Sequence, residues 1–216
     1  MPSRSATSAR SASRRPLVVA TLNPAKAREL IALLVDLPFE LQPLSEFPGA
    51  RLPEETEDSY QGNALLKARA AASLSRTLAL ADDSGIEVDA LGGSPGVRSA
   101  RFGGPGLDDA GRCRRLLEAL RDVPSERRTA RFRCVIAVAD PDGREDVVTG
   151  AVEGVILEAP RGHGGFGYDP LFFYPPLGRT FAELSEVEKA EVSHRGRALG
   201  AARRLLRECY TAVPDG

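Results

Sequence analysis

With 216 residues and a net charge of −1, the chain can bury one sizeable core or two small lobes, and no global field draws it to nucleic acid or a membrane surface. Its content of 42% hydrophobic and 27% charged residues is ordinary for a globular protein, and no apolar run reaches the roughly 18 residues of a membrane-spanning helix. Cys113, Cys134 and Cys209 lie far apart without metal-ligand spacing and read as reduced, buried thiols of a cytoplasmic protein.

Residues 1–15 are rich in Ser, Ala and Arg and contain no acid. Such a segment buries little apolar area and is expected to be a disordered tail. Its composition resembles a transit peptide, although it has no apolar signal core. The run Leu17 to Thr21 is short, apolar and β-prone. Leu22-Asn23-Pro24 breaks it, and Leu30, Ile31, Leu33 and Leu34 then recur at a helical period, with Pro24 where a helix can start. Pro38 to Pro53 holds a second short strand and a loop. Asp58 to Thr77, rich in Ala and Leu, predicts a helix. Leu78 to Ala81 reads as a buried strand that stops at Asp82-Asp83-Ser84-Gly85, with a brief strand from Ile86 to Leu91 before a Gly/Pro loop. Asp109 to Arg121 is helical in pattern. Arg128 to Ala139 and Asp146 to Glu158 flank the turn Pro141-Asp142-Gly143 and pair as a long hairpin. Ser193 caps a final helix that runs to about Cys209. The expected fold is α/β: an elongated mixed β-sheet flanked by helices, with residues 16–210 as one domain of two lobes around a central cleft.

Five segments offer chemistry. The loop Thr21, Leu22, Asn23, Pro24, Ala25 and Lys26 joins a strand end to a helix start, where backbone N–H groups favour anions. Lys26 opposes the helix dipole there, which points to a bound anion; the alternative is a solvated lysine. Asn63 and Lys67 share one helix face and can both reach phosphate oxygens, unless they form an ordinary exposed face. Asp82 and Asp83 put two carboxylates at the expected strand's C-terminal end. Adjacent acids there suit a hard cation such as Mg2+, with Glu54 and Glu55 available to complete the set, or else form a solvated acidic turn.

The stretch from Gly162 to Pro170 combines glycines with Phe166, Tyr168 and Asp169. It suits a rigid loop that stacks and hydrogen-bonds a flat polar ligand, as well as a plain Gly-rich turn. His163 within it has no assigned role. Lys189 lies upstream of Ser193-His194-Arg195, whose helix N-terminus and guanidinium suit an acceptor-rich ligand.

Taken in order, Thr-x-Asn-x-x-Lys, Asn-Ala-x-x-Lys-Ala, Ala-Asp-Asp-Ser-Gly, Gly-Gly-Phe-Gly-Tyr-Asp-Pro and Ser-His-Arg resemble the inosine triphosphate pyrophosphatase family, the non-canonical purine nucleoside triphosphate pyrophosphatases. The resemblance extends from about Leu17 to Leu206 and includes Leu91 to Arg101. It implies Mg2+-dependent hydrolysis of ITP, dITP and XTP to monophosphate and pyrophosphate, usually by a homodimer. It also implies a catalytic set of Asp83, Asp82 and Lys67, with Asp83 as general base or metal-linked acid and Glu54 as the other metal-side carboxylate. Thr21 to Lys26, with Lys67 and Asn63, would hold the triphosphate, and Ser84 would contact substrate. Phe166, Gly167, Tyr168, Asp169, Lys189, His194 and Arg195 would form the purine pocket. Separately from the resemblance, xanthine accepts at its 2-position where guanine donates, and Gly-loop N–H groups are expected to make that distinction. Leu22 and Gly62 depart from the family, which commonly has Gly and Glu there. A Maf-type pyrophosphatase of other base preference and a non-catalytic nucleotide binder are the alternatives.

Overall fold

A computed structural model describes residues 14–211. All but the last two residues of the expected tail therefore lie outside the described residues, and Arg15 already belongs to the first strand. The elements are β1 (Arg15–Val19), α1 (Pro24–Leu34), β2 (Phe39–Pro43), α2 (Tyr60–Ser75), β3 (Leu78–Val88), α3 (Asp109–Ala119), β4 (Thr129–Ala139), β5 (Glu145–Ile156), β6 (Phe172–Tyr174), β7 (Arg179–Thr180), α4 (Glu186–Val192) and α5 (His194–Cys209). The strands form one seven-stranded sheet in the order β2-β1-β3-β4-β5-β6-β7. β1 runs parallel to β2 and β3, and the other pairings are antiparallel, so the sheet is mixed as expected.

Alternation along the strands sorts side chains between the two faces of the sheet. On one face Leu17, Val19, Leu78, Leu80 and Ile136 pack with Leu30 and Leu34 of α1 and Leu199 and Leu206 of α5. On the other, Val18, Ala20, Ala79, Ala81 and Ala137 meet Ala64, Ala68 and Ala71 of α2. Alanine on both sides of this second seam lets α2 lie close against the strands. A third cluster, around Ile86, Val88, Leu116, Phe132, Phe172 and Phe181, fills the far end of β3 and β4 beneath α3.

One element differs from expectation in a way that matters for chemistry. β3 does not stop at Asp82; it continues through the acid pair to Val88. Asp-Asp-Ser-Gly has turn chemistry, but β4 pairs with β3 in unbroken register from Ala79↔Ala139 to Val88↔Ala130, and tertiary pairing overrides local preference. Gly85 makes this possible, because a Cβ there would lie 2.3 Å from the Gly96 carbonyl oxygen and 2.6 Å from the Ser99 hydroxyl. β1, in contrast, pairs with β3 only from Leu17↔Leu78 to Val19↔Leu80. The Ala20 N–H donates to the Leu80 carbonyl at 2.7 Å, and β3 then outruns its neighbour. Asp82 to Gly85 thus face a notch in the sheet.

The approach to α5 contains a helix that the sequence pattern does not predict. This is α4, whose start carries a capping box formed by Ser185 and Glu188. α5 begins at His194 under the Ser193 cap, as expected. Its first turns press on β5 so closely that a Cβ on Gly150 would come within 2.3 Å of the His194 carbonyl oxygen. That contact fixes the depth at which Ser193-His194-Arg195 enters the sheet.

Candidate active site

The loop into α1 satisfies its own backbone. Asn23 is the N-cap, and its side-chain oxygen accepts from the N–H groups of Ala25 at 2.9 Å and Lys26 at 3.3 Å. The Thr21 hydroxyl accepts from the Asn23 N–H at 3.2 Å. These donors, expected to face an anion, are engaged within the loop, while Leu22 is exposed. The nearest anion to Lys26 is protein: its ammonium lies 3.2 Å from Asp82 Oδ2 and 3.5 Å from the Ser84 hydroxyl.

Asp82 is the hub of this face. Arg195, 1% exposed, directs Nε and one terminal nitrogen to Asp82 Oδ2 at 3.3 Å, and donates to Ser84 at 3.1 Å and Glu29 at 2.9 Å. Burial alone would raise the Asp82 carboxyl, but Lys26, Arg195 and Lys67 hold it far below the ordinary carboxylate range. Glu29 is a member of the site that the motifs do not mark. It lies on the face of α1 that carries Lys26, three residues on, but its partner arrives from α5, which no local spacing reveals.

Adjacent strand residues point to opposite faces, so Asp83 belongs to a different group. The Lys67 ammonium of α2 lies 3.3 Å from Asp83 Oδ1 and 2.9 Å from Glu55 Oε1. Asp83 Oδ2 is buried without a partner. Burial, with help from Glu55 and Asp82, raises the Asp83 carboxyl above its ordinary value despite Lys67. Burial alone would lower Lys67, but Asp83, Asp82 and Glu55 outweigh it and raise it.

Two sequence expectations change on this face. Glu55, not Glu54, joins Lys67 and Asp83, while Glu54 is exposed. Asn63 is fully buried, and its amide grips the backbone N–H and C=O of Glu57, each at 3.1 Å. It therefore shapes the acidic loop instead of reaching a ligand. Among the described residues no cluster of three or more His, Cys, Asp or Glu side chains is placed to hold a metal. An unpartnered Asp83 oxygen beside Glu55 fits the one or two protein carboxylates that Mg2+ takes when phosphates supply other ligands.

The Gly-rich loop is held largely by its own side chains. Asp169 Oδ2 accepts from the Phe166 N–H at 2.9 Å and from Lys189 at 2.5 Å. Tyr168 is buried with its hydroxyl on the Ser99 carbonyl at 2.8 Å, so it anchors the loop and offers no stacking face. The N–H groups of Gly164, Phe166, Gly167 and Asp169 all have protein acceptors, which removes most of the donors expected to read a purine edge. Phe166 does reach the site: the Lys189 ammonium is 4.6 Å and the Arg195 guanidinium 5.3 Å from its ring centroid.

His194 stacks on Phe132, with centroids 4.6 Å apart and planes 11° from parallel, and is 4% exposed. Burial, then the charges of Arg195, Lys189 and Lys26, hold it well below its ordinary value of 6.5, against the opposing pull of Asp82. The folded protein thus keeps a neutral imidazole where the unfolded chain takes up a proton. Stability from this residue is fully present above about pH 6.5 and falls on acidification, by about 1 kcal/mol between pH 6.5 and 5.5. We expect the melting temperature to drop by about 2–4 °C over that unit from this source. Asp83 and Asp169, both raised, act in the opposite sense. The measurement is therefore the difference in pH slope between the protein and His194→Gln; equal slopes would refute the assignment.

A model described as the Ham1 family matches residues 17–205. The dITP/XTP pyrophosphatase of Desulforamulus reducens is 50% identical over 194 residues, covering 90% of this chain and 96% of that one. A counterpart in Thermus thermophilus is 52% identical over 198 residues, covering 92% and 93%. Among solved structures, a HAM1 protein from Coxiella burnetii superposes with a TM-score of 0.84 at 41% identity, over 90% of this chain and all of that one. The Staphylococcus aureus Ham1 protein gives 0.81 at 36% identity, over 90% and 99%.

Proposed function

Because the chain belongs to the Ham1 family, we propose that it hydrolyses non-canonical purine nucleoside triphosphates (ITP, dITP and XTP) to the monophosphate and pyrophosphate. The observation that carries this reading is the continuous line Phe166–Arg195–Asp82–Lys26, with Asp83 and Lys67 as the next step across β3. An aromatic face with cations at one end and lysines at the other matches a base joined to a triphosphate.

The substrate cleft is the notch where β3 outruns β1, between two lobes of the sheet. The base lies at Phe166, where Lys189 donates to a 6-oxo group and Arg195, held by Asp82, Glu29 and Ser84, lends its positive charge. Adenine presents a 6-amino group instead and sets a donor against those cations, a mismatch that costs orders of magnitude in rate. Lys26 and Lys67 neutralise the phosphates. Asp83 takes the proton from a water whose oxygen attacks the α-phosphorus, and the α–β bridging bond breaks as pyrophosphate leaves. Asp83 and Glu55 would hold Mg2+, which would supply charge neutralisation at the phosphates when bound. The protein works as a cytoplasmic homodimer that keeps the nucleotide pool clean. Among the described residues no helix is long and apolar enough to cross a membrane.

The test is hydrolysis of ITP, XTP, GTP and ATP with Mg2+, detecting pyrophosphate and free phosphate separately. Pyrophosphate should come from ITP and XTP, with GTP and ATP slower by about 10²-fold or more. Free phosphate as the primary product would mean that the γ-bond is cut, and would overturn the reading.

A further inference from the structure

Phe166 sits between two peptide planes, and each is tied by a different aspartate. Its own N–H, in the plane that sets φ, donates to the buried Asp169 at 2.9 Å. The Gly167 N–H, in the plane that sets the ψ of Phe166, donates to Asp109 Oδ2 at 2.7 Å. Asp109 lies in the first turn of α3, and its side chain is 53% exposed. The Cys113 thiol, one helical turn on, donates to the Gly167 carbonyl at 3.4 Å, so one face of α3 holds both polar ends of Gly167. Gly167 itself has φ +63°, a left-handed conformation that a side chain would disfavour. With φ and ψ both tied, the Cα–Cβ direction of Phe166 is set, and its ring lies against Lys189 and Arg195.

We infer that Asp109 is a positioning residue for base recognition: through the Gly167 N–H it holds the Phe166 ring at the angle the purine requires. The inference rests on the reading of Phe166 as the base platform. Asp109 touches neither the phosphate-side lysines nor Asp83, so its influence falls on binding of the base and leaves the hydrolytic step alone. No spacing in the sequence joins it to the loop, which lies 58 residues away.

The experiment compares the unaltered protein with Asp109→Ala and Asp109→Asn in ITP hydrolysis with Mg2+. IMP, which carries the base, and pyrophosphate, which does not, serve as competing inhibitors. Asp109→Ala should raise the KM for ITP and the inhibition constant of IMP by about tenfold, the effect of one charge-assisted hydrogen bond, with kcat within about twofold. Inhibition by pyrophosphate should not change. Asp109→Asn keeps an oxygen for the same N–H and should recover most of the loss. Unchanged KM in the alanine variant, an equal loss of both inhibitors, or a fall in kcat alone would each overturn the inference while leaving the site reading intact. Failure of the unaltered protein to hydrolyse ITP would instead remove the site reading, and the inference with it.

Discussion

Asp83→Asn should stop pyrophosphate release from ITP while the protein still folds. Of the acids near the notch, Asp83 combines burial, a carboxyl raised above its ordinary value and an oxygen with no protein partner. A carboxyl of that kind takes up a proton more readily than an ordinary one, and its second oxygen serves no other protein group. Loss of a general base costs about 10²–10⁴-fold in rate. The amide is nearly isosteric, and Lys67 keeps Glu55 at 2.9 Å, so the melting temperature should move little. A variant that retains a tenth or more of the activity would show that Asp83 is not the base, whatever happens to its stability.

The neighbouring substitution should behave in the opposite way. Asp82→Asn removes the one negative charge shared by Lys26 and Arg195 in a site where Asp82 is 2% exposed. Breaking a buried ion pair from one side costs about 3–5 kcal/mol, which for a chain of this size lowers the melting temperature by about 10 °C. The depressed carboxyl of Asp82 gives the sign of the pH dependence: its stabilisation is present above the ordinary value of 3.8 and is lost as pH falls through the lower folded value. The variant should therefore also lose part of its acid-unfolding transition. If Asp82→Asn melts with the unaltered protein yet is inactive, Asp82 is a catalytic group, as the family resemblance implies, and not the structural tie that its three donors indicate.

That contrast marks where the sequence stops being informative. Asn23 followed by Pro24 predicts a helix start, and the structure has the cap and the proline in those positions. The hairpin, α2 and the capped α5 are equally legible, because each rests on contacts within a few residues of each other or on one turn. Asp82 and Asp83 are legible as acids but not as members of opposite faces, since Asp-Asp-Ser-Gly has the local chemistry of a turn and only pairing with β4 makes it a strand. Tyr168 and Asn63 carry motif positions, yet their polar atoms are committed to Ser99 and Glu57. Glu55 and Glu54 are chemically identical neighbours, and the choice between them is made by Lys67 on another element.

The run of β3 through its acid pair carries a consequence for how such a chain can change over time. The two aspartates are the same amino acid, so their division of labour is decided by parity alone: an even position faces α1 and α5, and an odd one faces α2. A single residue inserted into β3 ahead of Ala81 would leave the string Ala-Asp-Asp-Ser-Gly intact while turning each carboxylate to the other face. The motif would survive inspection and the enzyme would not. Length changes in this strand are therefore tolerable only in pairs, or where a bulge restores the count, and the loops at its two ends are where the chain is free to lengthen.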